Sequence, residues 1–163
     1  MSASNRISQA LLSAPKIEID VSSRIAIMSD CHRGTGNWAD SFADNSNLFY
    51  AALSKYYRDE YTYIEIGDGD ELWENKKLSD IISAYKNIFE LMSKFSIEKR
   101  LYFLYGNHDM VKKNNLTKKE YTSCMAEAGK DIAALFETKS YEGIILNYKN
   151  TNYNINLIHG HQA

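Results

Sequence analysis

Four histidines, His32, His108, His159 and His161, are all that the chain contains, and each follows a short apolar run that reads as a β-strand. A lone histidine is more often a satisfied core or surface residue than a ligand. Four at strand ends, in company with Asp30, Asp68 and Asn107, point instead to a site. Carboxylates, an amide oxygen and imidazoles suit a divalent cation such as manganese, iron, zinc, cobalt or nickel, whereas a structural zinc site would call for cysteines. Asp30-Cys31-His32 sets two donors two residues apart. On an extended strand end both would point the same way, and Cys31 would turn into the core. Gly67 before Asp68 lets backbone and cation approach closely, because glycine has no side chain to obstruct them. The two oxygens of Asp68 can bridge two cations, as a two-metal hydrolase requires.

The elements that must position these residues can be read from hydrophobic periodicity. Arg24–Ser29 reads as a strand running into Asp30, and Asn45 to Tyr57 as a helix with Leu48, Ala52 and Leu53 on one side. Tyr61–Ile66 is a second strand, broken by Gly67-Asp68-Gly69-Asp70. After Ser79, a plausible N-cap, Ile81, Tyr85, Ile88, Met92 and Phe95 step by three or four along one helical face. Leu101–Tyr105 is a third strand, ended by Gly106-Asn107-His108-Asp109. Thr117-Lys118-Lys119-Glu120 forms a capping box that opens a further helix, with Gly129 as its stop. Gly143–Tyr148 and Tyr153–Ile158 read as a hairpin that delivers His159-Gly160-His161. Alternating strands and helices predict right-handed crossovers and a parallel α/β sheet, with ligands beyond the carboxyl ends of its strands. All the polar clusters are then expected on one rim of one sheet.

Taken in order, Asp30-x-His32, Gly67-Asp68-x-x-Glu71, Gly106-Asn107-His108-Asp109 and His159 resemble the calcineurin-like metallophosphoesterases over residues 24 to 161. The resemblance implies an α/β sandwich of helix, sheet, sheet and helix layers. It also implies hydrolysis of a phosphate ester or phosphoanhydride by a hydroxide activated between two divalent metal ions. It assigns Asp30 and His32 to the first metal, Asp68 to both, and Asn107 and His159 to the second, with Asn107 also near the substrate. His108 becomes the catalytic group at the leaving oxygen, with Asp109 orienting its ring; the plainer reading of Asp109 is a loop carboxylate. Arg33, beside a ligand, either donates to a phosphate oxygen or forms a surface salt bridge. Asp70, Glu71 and Trp73 are expected to support or pack the loop. Such families close the site with a Gly-His-x-His block, which this sequence lacks, since Gly160-His161-Gln162-Ala163 has no second histidine. The expectation is therefore a single domain over 1–163, incomplete in its second sheet, with His161 unassigned.

Composition sets the outer bounds. The formal charge of −2 is unlike that of a protein that coats nucleic acid. No apolar run has the length of a membrane span, and Ala10-Leu11-Leu12 after Arg6 is too short for a secretion signal. Cys31 and Cys124 make neither a metal pair nor a disulfide framework, so a reducing cytoplasm is the expected location. The partner expected is a phosphorylated small molecule, a nucleotide or a phosphoprotein. The stretch from Gly67 to Trp73 and the His-Gly block are similar both to enzymes cleaving a lipid-linked nucleotide diphosphate sugar and to general bacterial phosphatases. A non-catalytic binding or scaffold module on the same fold is the competing function, and intact His108, Asp30, Asp68 and Asn107 weigh against it.

Overall fold

The chain alternates short apolar strands with amphipathic helices, and a computed structural model describes how residues 2–113 and 132–162 pack. Four parallel strands form the central sheet: β2 (Ile25–Met28), β3 (Thr62–Ile66), β4 (Leu101–Leu104) and β5 (Ser140–Tyr141), in that order. Period-two alternation gives this sheet two apolar faces. One face carries Ala26, Tyr63 and Leu101 against the helices α2 (Ser46–Arg58), α3 (Leu78–Ala84) and α4 (Lys86–Ile97). The other carries Ile64 and Leu104, packed against Ile144, Leu146 and Leu157 of a second sheet.

That second sheet holds β1 (Lys16–Ile19), β6 (Ile144–Tyr148) and β7 (Asn154–Leu157), in the order β1-β6-β7. The expected hairpin is present, with Ile144 opposite Leu157 in antiparallel register. It does not join the central sheet, however, so His159 comes to the site from a neighbouring layer and not from the same rim. The reason is compositional: β7 exposes Asn154, Ile155 and Asn156 and buries only Leu157. A strand so polar is unsuited to a central place between two apolar faces.

Two elements were not legible. Residues Ala3–Leu12 form α1, capped by Ser2, whose Oγ accepts from the Asn5 amide. Lys16–Ile19 is too brief for its alternation to stand out, and it forms β1 because β6 supplies a parallel partner far along the chain. The helix expected from Ser79 begins at Leu78 and breaks at Tyr85, whose φ of −123° and ψ of 38° are not helical. Tyr85 uses the break to donate its hydroxyl to Asp40. The apolar face survives the break, since Ile81, Tyr85, Ile88, Met92 and Phe95 are all buried. A short helix α5 (Ala133–Glu137) packs on α4. The helix expected from Thr117 to Gly129, and Cys124 within it, lie outside the described residues. No helix among the described residues is long and apolar enough to cross a membrane.

Phe95 stands at the centre of the helix–sheet core, fully buried, with its ring 5.2 Å from Tyr57 and 6.0 Å from Tyr63. Phe95→Ala removes the largest apolar group at that junction. The expected loss is about 3–5 kcal/mol of unfolding free energy, read as a lowered urea midpoint at unchanged slope.

Candidate metal centre

The loops beyond β2 and β3 are laced together by their backbones. Asp30 N donates to Gly67 O at 3.2 Å, His32 N to Asp68 O at 2.9 Å and Arg33 N to Gly69 O at 3.0 Å. Within this ladder Asp30, His32 and Asp68 have φ of +54°, +48° and +50°. The left-handed region is costly for residues with a Cβ, and such conformations concentrate at functional sites. The extended Asp30–His32 segment expected from the sequence is therefore corrected: both side chains are aimed by left-handed backbone. Cys31 does pack against the helix–sheet core, and burial pushes its thiol up to about 12. The loops are also crowded, which explains two glycines. A Cβ on Gly106 would lie 2.0 Å from Asp68 Oδ1, and one on Gly67 would lie 2.7 Å from Gly106 and 2.8 Å from the His159 ring.

Asp30, His32, Asp68, Asn107 and His159 are brought to one place. His32 Nε2 is 3.8 Å from Asp30 and 3.9 Å from Asp68 Oδ2. His159 Nε2 is 3.2 Å from Asp68 Oδ2 and 3.2 Å from Asn107 Oδ1. Asp68 itself is buried and accepts the His108 amide at 2.8 Å. Among the described residues, two groups place their donor atoms within 4.8 Å of one another: His32, Asp68 and His108, and Asp30, Asp68 and His159. Asp68 belongs to both.

The tautomers test whether a cation fits. His159 Nδ1 lies 2.9 Å from the Ile66 carbonyl, which can only accept, so Nδ1 carries the hydrogen. A ring with no second proton presents an Nε2 lone pair to the oxygens of Asp68 and Asn107, and acceptors then face acceptors across about 3.2 Å. A divalent cation relieves that arrangement, and a carbonyl holding the opposite nitrogen is how metal-binding imidazoles are usually oriented. The residues fit the metal.

Glu71 does for two other rings what the Ile66 carbonyl does for His159. Its carboxylate lies 2.8 Å from His32 Nδ1 and 2.8 Å from His108 Nδ1, and accepts the Trp73 amide at 3.1 Å. Burial works to raise its pKa, but the hydrogen bonds from His108 and His32 outweigh burial and hold the carboxyl below its ordinary value. Ionised, it only accepts, so both rings carry a hydrogen on Nδ1 and turn Nε2 toward the site. The orienting role expected of Asp109 is thereby corrected to Glu71. Asp109 is buried and turned away, accepting the Gly106 amide at 2.8 Å and the Lys112 ammonium at 3.0 Å. The spacing of Glu71, three residues after Asp68, was the signal that could have found it.

The family model described as calcineurin-like phosphoesterase matches residues 23–162. The chain belongs to that family. No curated protein and no solved structure matches it at a significant level. The family's metal-dependent phosphoester chemistry agrees with the donor groups just described.

In this member of the family Arg33 is neither a phosphate donor nor a surface ion pair, and that expectation is corrected. It is fully buried under the site. Its two terminal nitrogens donate to Glu65 at 2.7 and 2.8 Å, and Nε donates to Asp70 at 2.7 Å. Tyr63 adds a hydrogen bond to Glu65, and Lys112 pairs with Asp70 at 2.7 Å and with Asp109 at 3.0 Å. Burial disfavours the guanidinium charge, but Asp70 and Glu65 outweigh it. For Asp70, burial is likewise outweighed by Arg33 and Lys112, and its carboxyl falls to about 2. His161 is half-buried beside His159, with ring centroids 5.6 Å apart and Nε2 3.6 Å from Glu142.

Arg33→Met would leave the buried Glu65 carboxylate without its cation and Asp70 with Lys112 alone. Breaking a buried pair by removing one partner costs about 3–5 kcal/mol, and that loss is expected in urea unfolding. Arg33→Lys keeps the charge without the planar fork and should fall between. A loss no larger than that of an exposed ion pair would show the network to be dispensable.

Proposed function

We propose that this chain hydrolyses phosphate esters or phosphoanhydrides using two divalent cations. Asp30 and His32 hold the first, Asp68 spans both, and Asn107 and His159 hold the second. Cations bound there supply Lewis acidity, lowering the pKa of water and offsetting charge on the phosphoryl oxygens. The protein's own part is positional. The Ile66 carbonyl and Glu71 fix the His159 and His32 rings with Nε2 inward. The His108 amide holds one oxygen of Asp68. His108, its Nδ1 hydrogen on Glu71, offers Nε2 to hold or move a proton at the leaving oxygen. The observation that carries the reading is the place of Asp68, which is common to both donor groups and lies 3.9 Å from His32 Nε2 and 3.2 Å from His159 Nε2. Substrates in keeping with it are phosphorylated small molecules, nucleotides or phosphoproteins. The half-buried, unpaired Cys31 accords with a reducing cytoplasm as the place of action.

Two measurements test this. Because Asp68 would join both cations, Asp68→Asn should lower bound manganese more than Asp30→Asn does, assayed on the purified chains; equal losses would remove the bridging role. His108→Ala should keep its metal, yet slow an alkyl phosphate by about 10²–10⁴-fold and p-nitrophenyl phosphate far less, because nitrophenolate scarcely needs a proton. His159→Ala should impair both esters together. Loss of metal from His108→Ala, or equal slowing of the two esters, would make His108 a ligand and not the leaving-group catalyst.

A further inference from the structure

One side chain at the rim of the site has no part in that scheme. The Trp73 indole is stacked on the His108 imidazole, centroids 3.8 Å apart and planes 29° from parallel, while 65% of the residue remains exposed. One face of the indole is therefore covered by the ring that serves the leaving oxygen, and the opposite face is open. Stacking on an open aromatic face is a general way of holding a flat group, and every nucleobase has such a face.

Distance decides which flat group. A ring lying on the far side of the indole, at ordinary contact separation, sits roughly 7.5 Å from the imidazole. An aryl ester cannot span that, because its ring is bonded directly to the leaving oxygen. A base joined to the oxygen through a sugar can. The surface beside the stack suits such a spacer. A cleft of about 380 Å³ shares His32 and Glu71 with the site and is completed by Thr35, Asp40, Glu74 and Asn75. Carboxylates and amides there match sugar hydroxyls and the amino edge of a base, and they disfavour a second anionic group.

We infer that Trp73 is a specificity residue, the stacking platform for the base of a nucleoside 5′-phosphate whose nucleoside is the leaving group. The inference rests on the hydrolase reading above and deepens it. Hydrolysis breaks the P–O5′ bond, water supplies the oxygen that stays with phosphate, and a proton passes to O5′.

Adenosine 5′-monophosphate and ribose 5-phosphate share the same leaving oxygen and differ in the base, so the manganese-loaded chain can be assayed on both. The wild type should favour the nucleotide. Trp73→Leu should raise KM for the nucleotide about tenfold and leave ribose 5-phosphate and p-nitrophenyl phosphate unchanged. Trp73→Phe should restore part of the preference. Equal slowing of both sugar phosphates through kcat would overturn the inference, because the indole would then only steady His108. A second readout needs no turnover. In Trp38→Phe, Trp73 is the remaining tryptophan, and the nucleotide, but not ribose 5-phosphate, should quench its fluorescence. Quenching without hydrolysis of any ester would sink the hydrolase reading and keep the platform. Hydrolysis without quenching or base preference would do the reverse.

Discussion

A buried guanidinium holds the candidate site in register. Arg33 follows His32 directly, Asp70 lies two residues after Asp68, and Asp109 comes next after His108. The chain of ion pairs from Glu65 through Arg33, Asp70 and Lys112 to Asp109 therefore ties together the loops beyond β2, β3 and β4 from below. Ionic pairing inside a protein is weak evidence for stability as such, because desolvation cancels much of the attraction. Its value here is directional: the planar fork accepts only one arrangement of Glu65 and Asp70. Three donor-bearing residues with left-handed backbone sit above that fork, and the ladder that holds them begins beside it. The glycines follow from the same closeness, since the loops approach to distances no Cβ could occupy.

Above the fork, the aim of each imidazole is set by its outer nitrogen. The Ile66 carbonyl fixes His159, and one carboxylate, Glu71, fixes both His32 and His108. Sharing that carboxylate keeps the two rings edge to face, with centroids 4.5 Å apart. The ring proposed as a ligand and the ring proposed to handle the proton are thus coupled through one acceptor. Displacing Glu71 would disturb both at once.

The sequence carried the donor set well, because glycines and polar residues at strand ends interrupt apolar runs so sharply. Asp30, His32, Asp68, Asn107 and His159 were all legible, and they converge. The four-stranded sheet was legible for the same reason, apart from the two-residue β5. What failed to show was whatever depended on distant partners. β1 is a strand only because β6 lies beside it, and β7 joins the second sheet because its own polarity keeps it out of the first. Arg33 read as either a phosphate donor or a surface ion pair because its partners Glu65 and Asp70 are distant in sequence, and Glu65 sits inside a strand that reads as apolar. Asp109 and Glu71 exchanged roles because adjacency to His108 suggested one, while the fold delivered the other.

The placement of β1 sets an order of assembly. Lys16 pairs with Ile145, so the second sheet cannot close until almost the whole described chain has emerged from the ribosome. Three strands of the central sheet have no such wait: β2, β3 and β4 follow one another at short range, with helices between them. Contacts between distant segments form slowly because loop closure comes before any gain from pairing. During synthesis the crevice would hold Asp30, His32, Asp68 and Asn107 first, with one apolar sheet face still bare. His159 arrives with the strand that covers that face. Of the donors among the described residues, His159 is thus the one whose arrival coincides with the covering of that face.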